Sequence, residues 1–337
     1  MLALAIAIVL VLGAGALYQF VGTKRNRRLY APPGSIVEIG AQRLHLVCAG
    51  EGTPAVVFES GIAASSLSWT RILRDVATFT RACAYDRAGL GWSDLSRPRL
   101  TSGRMLSDLR GVLATASTRR PSILVGHSFG ALLVQAYAAQ HPREIAGLVL
   151  LDPPTDWQDM TREQARMLWG GIQLSRIGAL LARLGVVRTC LALLTGGAPG
   201  VPRSFVKIFG PTAARTLERL VGEVRKLPPE VHPLVQEIWC QPKCFRAMAH
   251  HLAALEEMTA AAHGVRSLFN IPLVVISGGD QPADVIATHR QLAQISSRGR
   301  HVVARQSGHW IQFDEPDLVV ATIRDLTTID RPSAVSG

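Results

Sequence analysis

The 337-residue sequence has little charge and few cysteines. Charged residues make up only 18% of the chain, which excludes a disordered or fibrous protein, and 48% are hydrophobic, enough to bury a full core. Five cysteines, an odd number in a long chain, do not make a disulfide framework, and we expect small buried thiols. Cys240 and Cys244 form the one close pair, with His250 and His251 nearby, but a structural zinc site needs a matching second pair.

Acidic residues are scarce as well. The 25 Asp and Glu residues oppose 36 Lys and Arg, so the formal net charge is +11. The basic residues are scattered, except for a tight cluster at 24–28, and no aromatic-interleaved basic motif accompanies them, so we expect no nucleic-acid partner. The sequence has no phosphate-binding loop, dinucleotide fingerprint or metal-ligand set, and we expect neither a cofactor nor a metal.

Residues 1–22 carry no charged side chain. About 20 such residues in a helix span the hydrocarbon core of a bilayer. The basic cluster follows at once, and Tyr18 and Phe20 stand where interfacial aromatic residues are expected. A signal peptide cleaved at Ala14-Gly15-Ala16 is the alternative, but its usual Lys or Arg before the apolar run is missing. We predict a single-pass membrane anchor at 1–22, and the positive-inside rule favours the cytoplasmic side for the rest of the chain.

After a basic, proline-containing linker at 23–34, strand-like and helix-like segments alternate. This alternation predicts an α/β fold, with a mostly parallel twisted sheet and helices on both faces. From 153 to 270 the pattern changes to apolar residues at helical spacing, which predicts a helical cap between two parts of the core, 35–152 and 271–330. The predicted strands are Ile36–Ile39, Leu44–Val47, Ala55–Phe58, Ala82–Tyr85, Ile123–Val125, Leu148–Leu151, Pro272–Ser277 and His301–Ala304.

The segment Gly126-His127-Ser128-Phe129-Gly130 fits the pattern G-x-S-x-G. An apolar strand precedes it and a helical run follows, which is the strand–turn–helix setting of a nucleophile elbow. The glycines are needed because side chains in so tight a turn would collide with neighbouring backbone. We therefore predict that Ser128 is a nucleophile, and the alternative is a serine that caps the following helix.

A serine hydroxyl needs a base, and the base in turn needs an acid. His309 lies on a loop directly after the last predicted strand and is the candidate base. Asp280, at the end of the preceding strand and loop, is the preferred acid, because its carboxylate would accept the second N–H of the imidazole. Asp152, after an earlier strand, and Asp284 are the alternatives. For the oxyanion hole we expect the backbone N–H groups of Phe129 and Ile62.

These motifs resemble those of the α/β-hydrolase superfamily, in particular its lipase, esterase and aminopeptidase-like branch with a helical cap. The resemblance covers 35–330, and its stretch at 86–93 corresponds to a segment that supports the oxyanion loop. Two residues depart from the family pattern. Ser60 replaces the usual histidine of the oxyanion loop, and Ser277 stands where a glycine often precedes the acid, which leaves Asp280 open to question. The matching segments are Glu59-Ser60-Gly61, Tyr85–Ser93, Gly126–Gly130 and Gly308-His309.

The resemblance implies acyl transfer to Ser128, followed by hydrolysis with a water that His309 activates. Dehalogenases and epoxide hydrolases of this fold use a carboxylate nucleophile, so a serine argues against both activities. The apolar cap and the anchor favour a small hydrophobic ester or a lipid-like acyl substrate. We predict a membrane-anchored carboxylic ester hydrolase, with a peptidase or amidase, an acyltransferase and a non-catalytic membrane-anchored scaffold as alternatives.

Overall fold

Eight β-strands form the framework of the chain. The structure, a computed structural model, describes residues 1–96, 100–116, 121–155, 160–195 and 224–328. Every strand predicted from the sequence overlaps one of the strands in these ranges. They are β1 (Ser35–Ile39), β2 (Gln42–Ala49), β3 (Val56–Glu59), β4 (Ala82–Tyr85), β5 (Ser122–His127), β6 (Ile145–Leu151), β7 (Leu273–Gly278) and β8 (Gly299–Ala304).

The strands make one sheet in the order β1-β2-β4-β3-β5-β6-β7-β8. Strands β3 to β8 pair in parallel, whereas β1 and β2 are antiparallel at one edge. Because six strands run in the same direction, their carboxyl ends meet at one edge, where ligand sites of such sheets lie. The predicted mostly parallel sheet is confirmed.

Helices cover both faces of this sheet, as predicted. They pack there because alternate strand residues point to opposite faces, so Leu124 and Val275 lie in one buried cluster and Val125 and Ile276 in another. The helices are α1 (Leu2–Leu29), α2 (Thr70–Val76), α3 (Ser102–Ala116), α4 (Phe129–Gln140), α5 (Arg162–Arg183), α6 (Val186–Thr195), α7 (His232–Trp239), α8 (Pro242–Ala253), α9 (Leu255–His263), α10 (Ala283–Ala293), α11 (Ile311–Asp314) and α12 (Pro316–Thr328).

Helices α5 to α8 form a cap between β6 and β7. Thr161 starts α5 with a capping box, in which its hydroxyl accepts from the Gln164 amide. The predicted cap ended at 270, but α9 packs on α4, and its residues Met258 and Ala262 belong to the buried cluster of the core. Parts of the predicted cap, 156–159 and 196–223, lie outside the described residues.

Helix α1 is long and apolar enough to cross a membrane, a property that signal sequences and buried core helices share. It runs through the basic cluster to Leu29, so the expected linker from 23 is helical over most of its length. Lys and Arg continue the helix because they are good helix formers. The Arg side chains of its last turn interact favourably with the negative end of the helix dipole.

The cysteines differ from the prediction in one respect. Cys48 of β2 lies directly opposite Cys83 of β4, and a disulfide joins them, so these two are not free thiols. The other three are free, and burial raises the pKa of the Cys240 and Cys244 thiols to about 12. No group of three metal-ligating side chains occurs in the described ranges.

Candidate active site

Ser128 lies in a sharp turn between β5 and α4, at the carboxyl edge of the sheet. Its backbone has φ 53° and ψ −123°, which is uncommon for a residue with a side chain. The flanking glycines are required by space, since a Cβ on Gly126 would lie 2.6 Å from the Gly130 carbonyl oxygen and one on Gly130 2.5 Å from that of Glu59. The half-buried Ser128 therefore lies in a tight strand–turn–helix geometry of the kind that a nucleophile elbow requires.

His309 and Asp152 form a pair that lines the same cavity as this serine. The Nδ1 atom of His309 lies 2.7 Å from Oδ2 of Asp152, and the Asp152 side chain is 2% exposed. All three residues line one cavity of about 290 Å³. The other residues of its lining are Pro153, Pro154, Thr155, Gln281, Val285 and His289.

The prediction that Asp280 is the partner of His309 was therefore wrong. The alternative, Asp152, is the carboxylate that contacts His309. Asp152 follows β6, the neighbour of β5, and the Ser128 amide donates to the carbonyl of the preceding Leu151. Asp280 is exposed after β7, with its carboxylate close to the backbone of Gly308. Asp284, also exposed, lies in the first turn of α10.

The surroundings of Asp152 keep its carboxylate ionised. Burial alone would raise the pKa of this carboxyl, but the hydrogen bond and charge of His309 outweigh burial and lower the pKa below its ordinary value. The Gly278 amide donates to Oδ1 at 3.2 Å, and the Gln281 amide group donates to Oδ2. An ionised carboxylate in this position orients the imidazole and stabilises its protonated form.

The loop after β3 approaches the same turn. Gly61 packs so closely that a Cβ there would lie 3.1 Å from His127 and 3.4 Å from the Ser128 Cβ. This contact brings the next residue, Ile62, to the side of the elbow where Phe129 begins α4. The two predicted oxyanion residues thus lie on two backbone segments that pack around Ser128.

Comparisons with known proteins agree with this architecture. A family model described as alpha/beta hydrolase fold matches residues 54–175. The enol-lactonase from Burkholderia xenovorans LB400 superposes with a TM-score of 0.61 at 19% identity, over 87% of this chain and 99% of that one. The chain therefore has the α/β-hydrolase fold.

Two sequence relatives show how far this similarity extends. Uncharacterized protein YqjL of Bacillus subtilis is 35% identical over 104 residues, and the match covers 31% of this chain and 41% of that protein. Epoxide hydrolase A of Mycobacterium tuberculosis is 24% identical over 339 residues, which covers 88% of this chain and 98% of that protein. This α/β hydrolase therefore has hydrolases among its relatives.

Sequence reasoning missed Arg87, which holds the oxyanion loop of this α/β hydrolase. Its guanidinium donates to the Glu59 carboxylate and to the carbonyl oxygens of Ser60 and Gly61, the last at 2.6 Å. Its Nε donates to His251 at 3.2 Å, and burial lowers the pKa of that histidine well below its usual value, so it is neutral. The signal for Arg87 was its place in the segment already assigned to support of this loop.

His127, the residue before Ser128, has a polar role. Its Nε2 donates to the backbone carbonyl of His309 at 2.8 Å. Burial, followed by the nearby charge of His309, lowers the pKa of His127 to about 3. His127 is therefore neutral at physiological pH and fixes the loop that carries His309.

Ser277, the departure from the family pattern, connects the buried His289 and the half-buried His301 behind Asp152. Its hydroxyl lies 2.8 Å from Nδ1 of His289 and 2.7 Å from Nε2 of His301. The Nε2 atom of His289 lies 2.7 Å from the carbonyl oxygen of Pro153, which directly follows Asp152. When both histidines are neutral, all three hydrogen bonds can form in one direction. His301 donates to Ser277, Ser277 donates to His289, and His289 donates to the carbonyl oxygen of Pro153.

Proposed function

We propose that this α/β hydrolase is a membrane-anchored serine hydrolase that cleaves a carboxylic ester with a hydrophobic acyl group. Ser128 is the nucleophile, His309 the base and Asp152 the acid. The observation that carries the proposal is the 2.7 Å contact between His309 and the buried Asp152, in the cavity that also contains Ser128. Enzymes on unrelated folds use the same three groups for acyl transfer.

The reaction follows from these positions. His309 removes the Ser128 proton as the hydroxyl oxygen attacks the ester carbonyl, and the amides of Ile62 and Phe129 donate to the oxyanion. His309 then gives the proton to the departing alcohol, which leaves an acyl group on Ser128. A water molecule, deprotonated by His309, releases the acid and restores the serine.

The identity of the nucleophile separates this proposal from epoxide hydrolysis. One relative is named an epoxide hydrolase. Epoxide hydrolases of this fold use a carboxylate as the nucleophile. This chain has a serine at the elbow, with a hydroxyl that suits acyl transfer. We therefore assign the ester reaction to it.

A narrow apolar crevice supports a hydrophobic acyl group. It begins at Ile62 of the oxyanion loop and at Trp310, which follows the candidate base, and it runs under α7 of the cap. The crevice has a volume of about 40 Å³, which suits a short acyl chain, and burial of each methylene of such a chain contributes about 0.8 kcal/mol. The apolar members of its lining are Ile62, Ala63, Ala64, Leu67, Val224, Leu227, Val235, Ile238, Trp239, Trp310 and Phe313.

The membrane anchor is the second part of the proposal. All but one of the residues of α1 stay at least partly accessible, and the exception, Gln19, is polar. A terminal helix with so little burial, followed by Lys24 and Arg25, fits a bilayer span better than a core helix.

Labelling with a fluorophosphonate probe tests the nucleophile. The native protein should react covalently, because the probe phosphorylates an activated serine, and Ser128→Ala should not. Ser122→Ala is the matched control, since this buried serine lies at the opposite end of β5 and should leave labelling unchanged. Equal labelling of native protein and Ser128→Ala would remove Ser128 from its role.

Substitution of the carboxylates tests the acid. Asp152→Asn should lower kcat for a p-nitrophenyl ester by about 10⁴, because the amide favours the wrong imidazole tautomer. Asp280→Asn is the control and should keep near-native turnover. The opposite ranking of these two variants would return the acid to Asp280.

A further inference from the structure

Helix α5 of the cap buries its small residues and exposes its large ones. Ser175, Gly178 and Ala182 are buried, and Gly178 packs so tightly on Phe245 of α8 that a Cβ there would lie 2.4 Å from the ring. Leu180 on the outer side is 57% exposed, and Ile177 is 47% exposed. A helix of a water-soluble protein shows the reverse pattern, whereas small residues at helix contacts are typical of proteins in membranes.

The turn between α5 and α6 contacts α1 well inside its apolar part. A Cβ on Gly15 would lie 2.3 Å from the Leu184 carbonyl oxygen, and one on Gly185 would lie 2.5 Å from that of Gly15. Lys24 follows Gly15 by nine positions, and this corresponds to a rise of about 14 Å along the helix axis. If Lys24 lies among the lipid headgroups, the turn at Leu184 must lie below them.

A buried polar cluster also fixes α1 to the cap, nearer the basic end of the helix. Arg188 of α6 donates to the side chain of Gln19 at 2.9 Å and to Glu237 of α7 at 2.8 Å. Gln19 also donates to the Cys240 carbonyl at 2.9 Å, and Asn26 donates to Glu237 at 2.5 Å. Since these side chains bind one another, α1 and the cap form one unit, and the cap cannot rise away from the membrane independently of α1.

The basic side chains around the outer face of α5 favour contact with anionic lipid. Arg166, Arg176 and Arg183 of α5 are exposed beside the apolar side chains, and Glu163, in its first turn, is the one acidic residue of that helix. Apolar side chains mixed with arginine are typical of helices that lie in the interface of a bilayer.

We propose that the outer face of α5 inserts into the headgroup region and the upper acyl region of an anionic bilayer, and that the α5–α6 turn extends deeper into the acyl region, beside Gly15 of α1. This inference rests on the proposed membrane anchor and extends it, because the cap becomes a second membrane contact. The catalytic cavity lies beneath a cap that touches lipid, which suits an ester substrate drawn from the bilayer.

Spin labels on the full-length chain in nanodiscs of phosphatidylcholine and phosphatidylglycerol test the proposal. The background variant is Cys190→Ser, since Cys190 is the partly accessible free thiol and the other two are buried. Labels are placed by Leu180→Cys on the proposed face, Leu10→Cys on α1 and Glu51→Cys as the control. Glu51 is exposed after β2, whose end pairs with the start of β4, away from the cap.

Collisions of each label with oxygen and with a water-soluble nickel chelate report its depth. The proposal expects lipid-like accessibility at 180 and at 10, and aqueous accessibility at 51. An aqueous label at 180 with a lipid-exposed label at 10 would overturn the proposal and leave the anchor intact. Aqueous labels at both 180 and 10 would overturn the anchor and this inference together. Because Leu180 is exposed, its replacement leaves the packing of the cap unchanged, and a thermal unfolding curve equal to that of Cys190→Ser verifies this.

Discussion

Two buried arginine–glutamate pairs show how differently the core and the cap use the same chemistry. The side chains of Arg87 and Glu59 in the core are 3% and 1% exposed, and those of Arg188 and Glu237 in the cap are 9% and 7% exposed. In the core, Arg87 also donates to the backbone carbonyls of Ser60 and Gly61. In the cap, Arg188 binds side chains of another helix, Gln19 and Thr23.

The two arginine–glutamate pairs affect different parts of the structure. A guanidinium that binds carbonyl oxygens sets the direction of the peptide groups, and therefore of the N–H groups that follow them. One that binds side chains joins two helices but leaves their backbones as they are. We expect the pair in the core to affect turnover and the pair in the cap to affect local mobility.

Removal of Arg87 should have the largest effect. Arg87→Met leaves Glu59 as an unpaired buried charge, which costs about 3–5 kcal/mol of the free energy of unfolding. It also frees the loop that positions Ile62, so kcat should fall by about 10²–10³, the usual loss for one oxyanion donor. Urea unfolding in detergent and hydrolysis of a p-nitrophenyl ester measure the two effects.

The double variant Arg87→Met/Glu59→Gln separates the two roles of Arg87. It removes the unpaired charge, so stability should return in part, while kcat stays low because no guanidinium holds the carbonyls of Ser60 and Gly61. If kcat recovers together with stability, Arg87 contributes to folding alone.

A smaller effect should follow from breaking the pair in the cap. Glu237→Gln weakens the hydrogen bonds from Arg188 and Asn26, which for charged groups contribute about 1.5–3 kcal/mol each. We expect faster hydrogen exchange of amides in α6 and α7, with kcat for a water-soluble ester near the native value. The control is Arg43→Met, which breaks an exposed pair with Asp94 and should change neither quantity. A large loss of kcat in Glu237→Gln would contradict the contrast between the two pairs.

The sequence specified the strands and the elbow because local patterns determine them. Apolar runs that end in turn residues identified all eight strands, and Gly126 and Gly130 identified the turn that presents Ser128. The acid was not determined in this way, since Asp152 and Asp280 both follow strands at the same edge of the sheet. Their distances from His309 depend on how the loop at 305–310 folds, which no local pattern encodes.

Long-range polar contacts were equally inaccessible. Gln19 lies in the apolar part of α1, and its partner Arg188 lies 169 residues away. Arg87 reaches Ser60 over 27 residues. Such pairs follow from the assembled fold, because burial makes each of these groups require a partner.

The titration of a third buried group, His127, should have the smallest effect on stability. The pKa of His127 is about 3 in the folded state against 6.5 in an exposed histidine. Below about pH 6.5 the unfolded chain therefore binds a proton that the folded chain does not, and stability falls by about 1.4 kcal/mol per pH unit. Above that pH this loss is absent.

The variant His127→Gln removes this titration and still offers a side-chain N–H to the His309 carbonyl. From about pH 6.5 to pH 5 the native protein should therefore lose about 2 kcal/mol more stability than the variant does. Urea unfolding at the two pH values measures the difference. Parallel pH profiles of the two proteins would show that His127 is protonated in the folded state.

The disulfide between Cys48 and Cys83 has a consequence for where catalysis takes place. Disulfides persist in secreted, periplasmic and luminal environments, whereas cytosolic thiols are kept reduced. A chain that carries this bond in the cell has folded its catalytic domain on the oxidising side of the membrane, opposite to the side that Lys24–Arg28 favours. Under the proposed function, the ester that reaches Ser128 then comes from the outer leaflet or the surrounding medium, and its products are released without crossing into the cytoplasm.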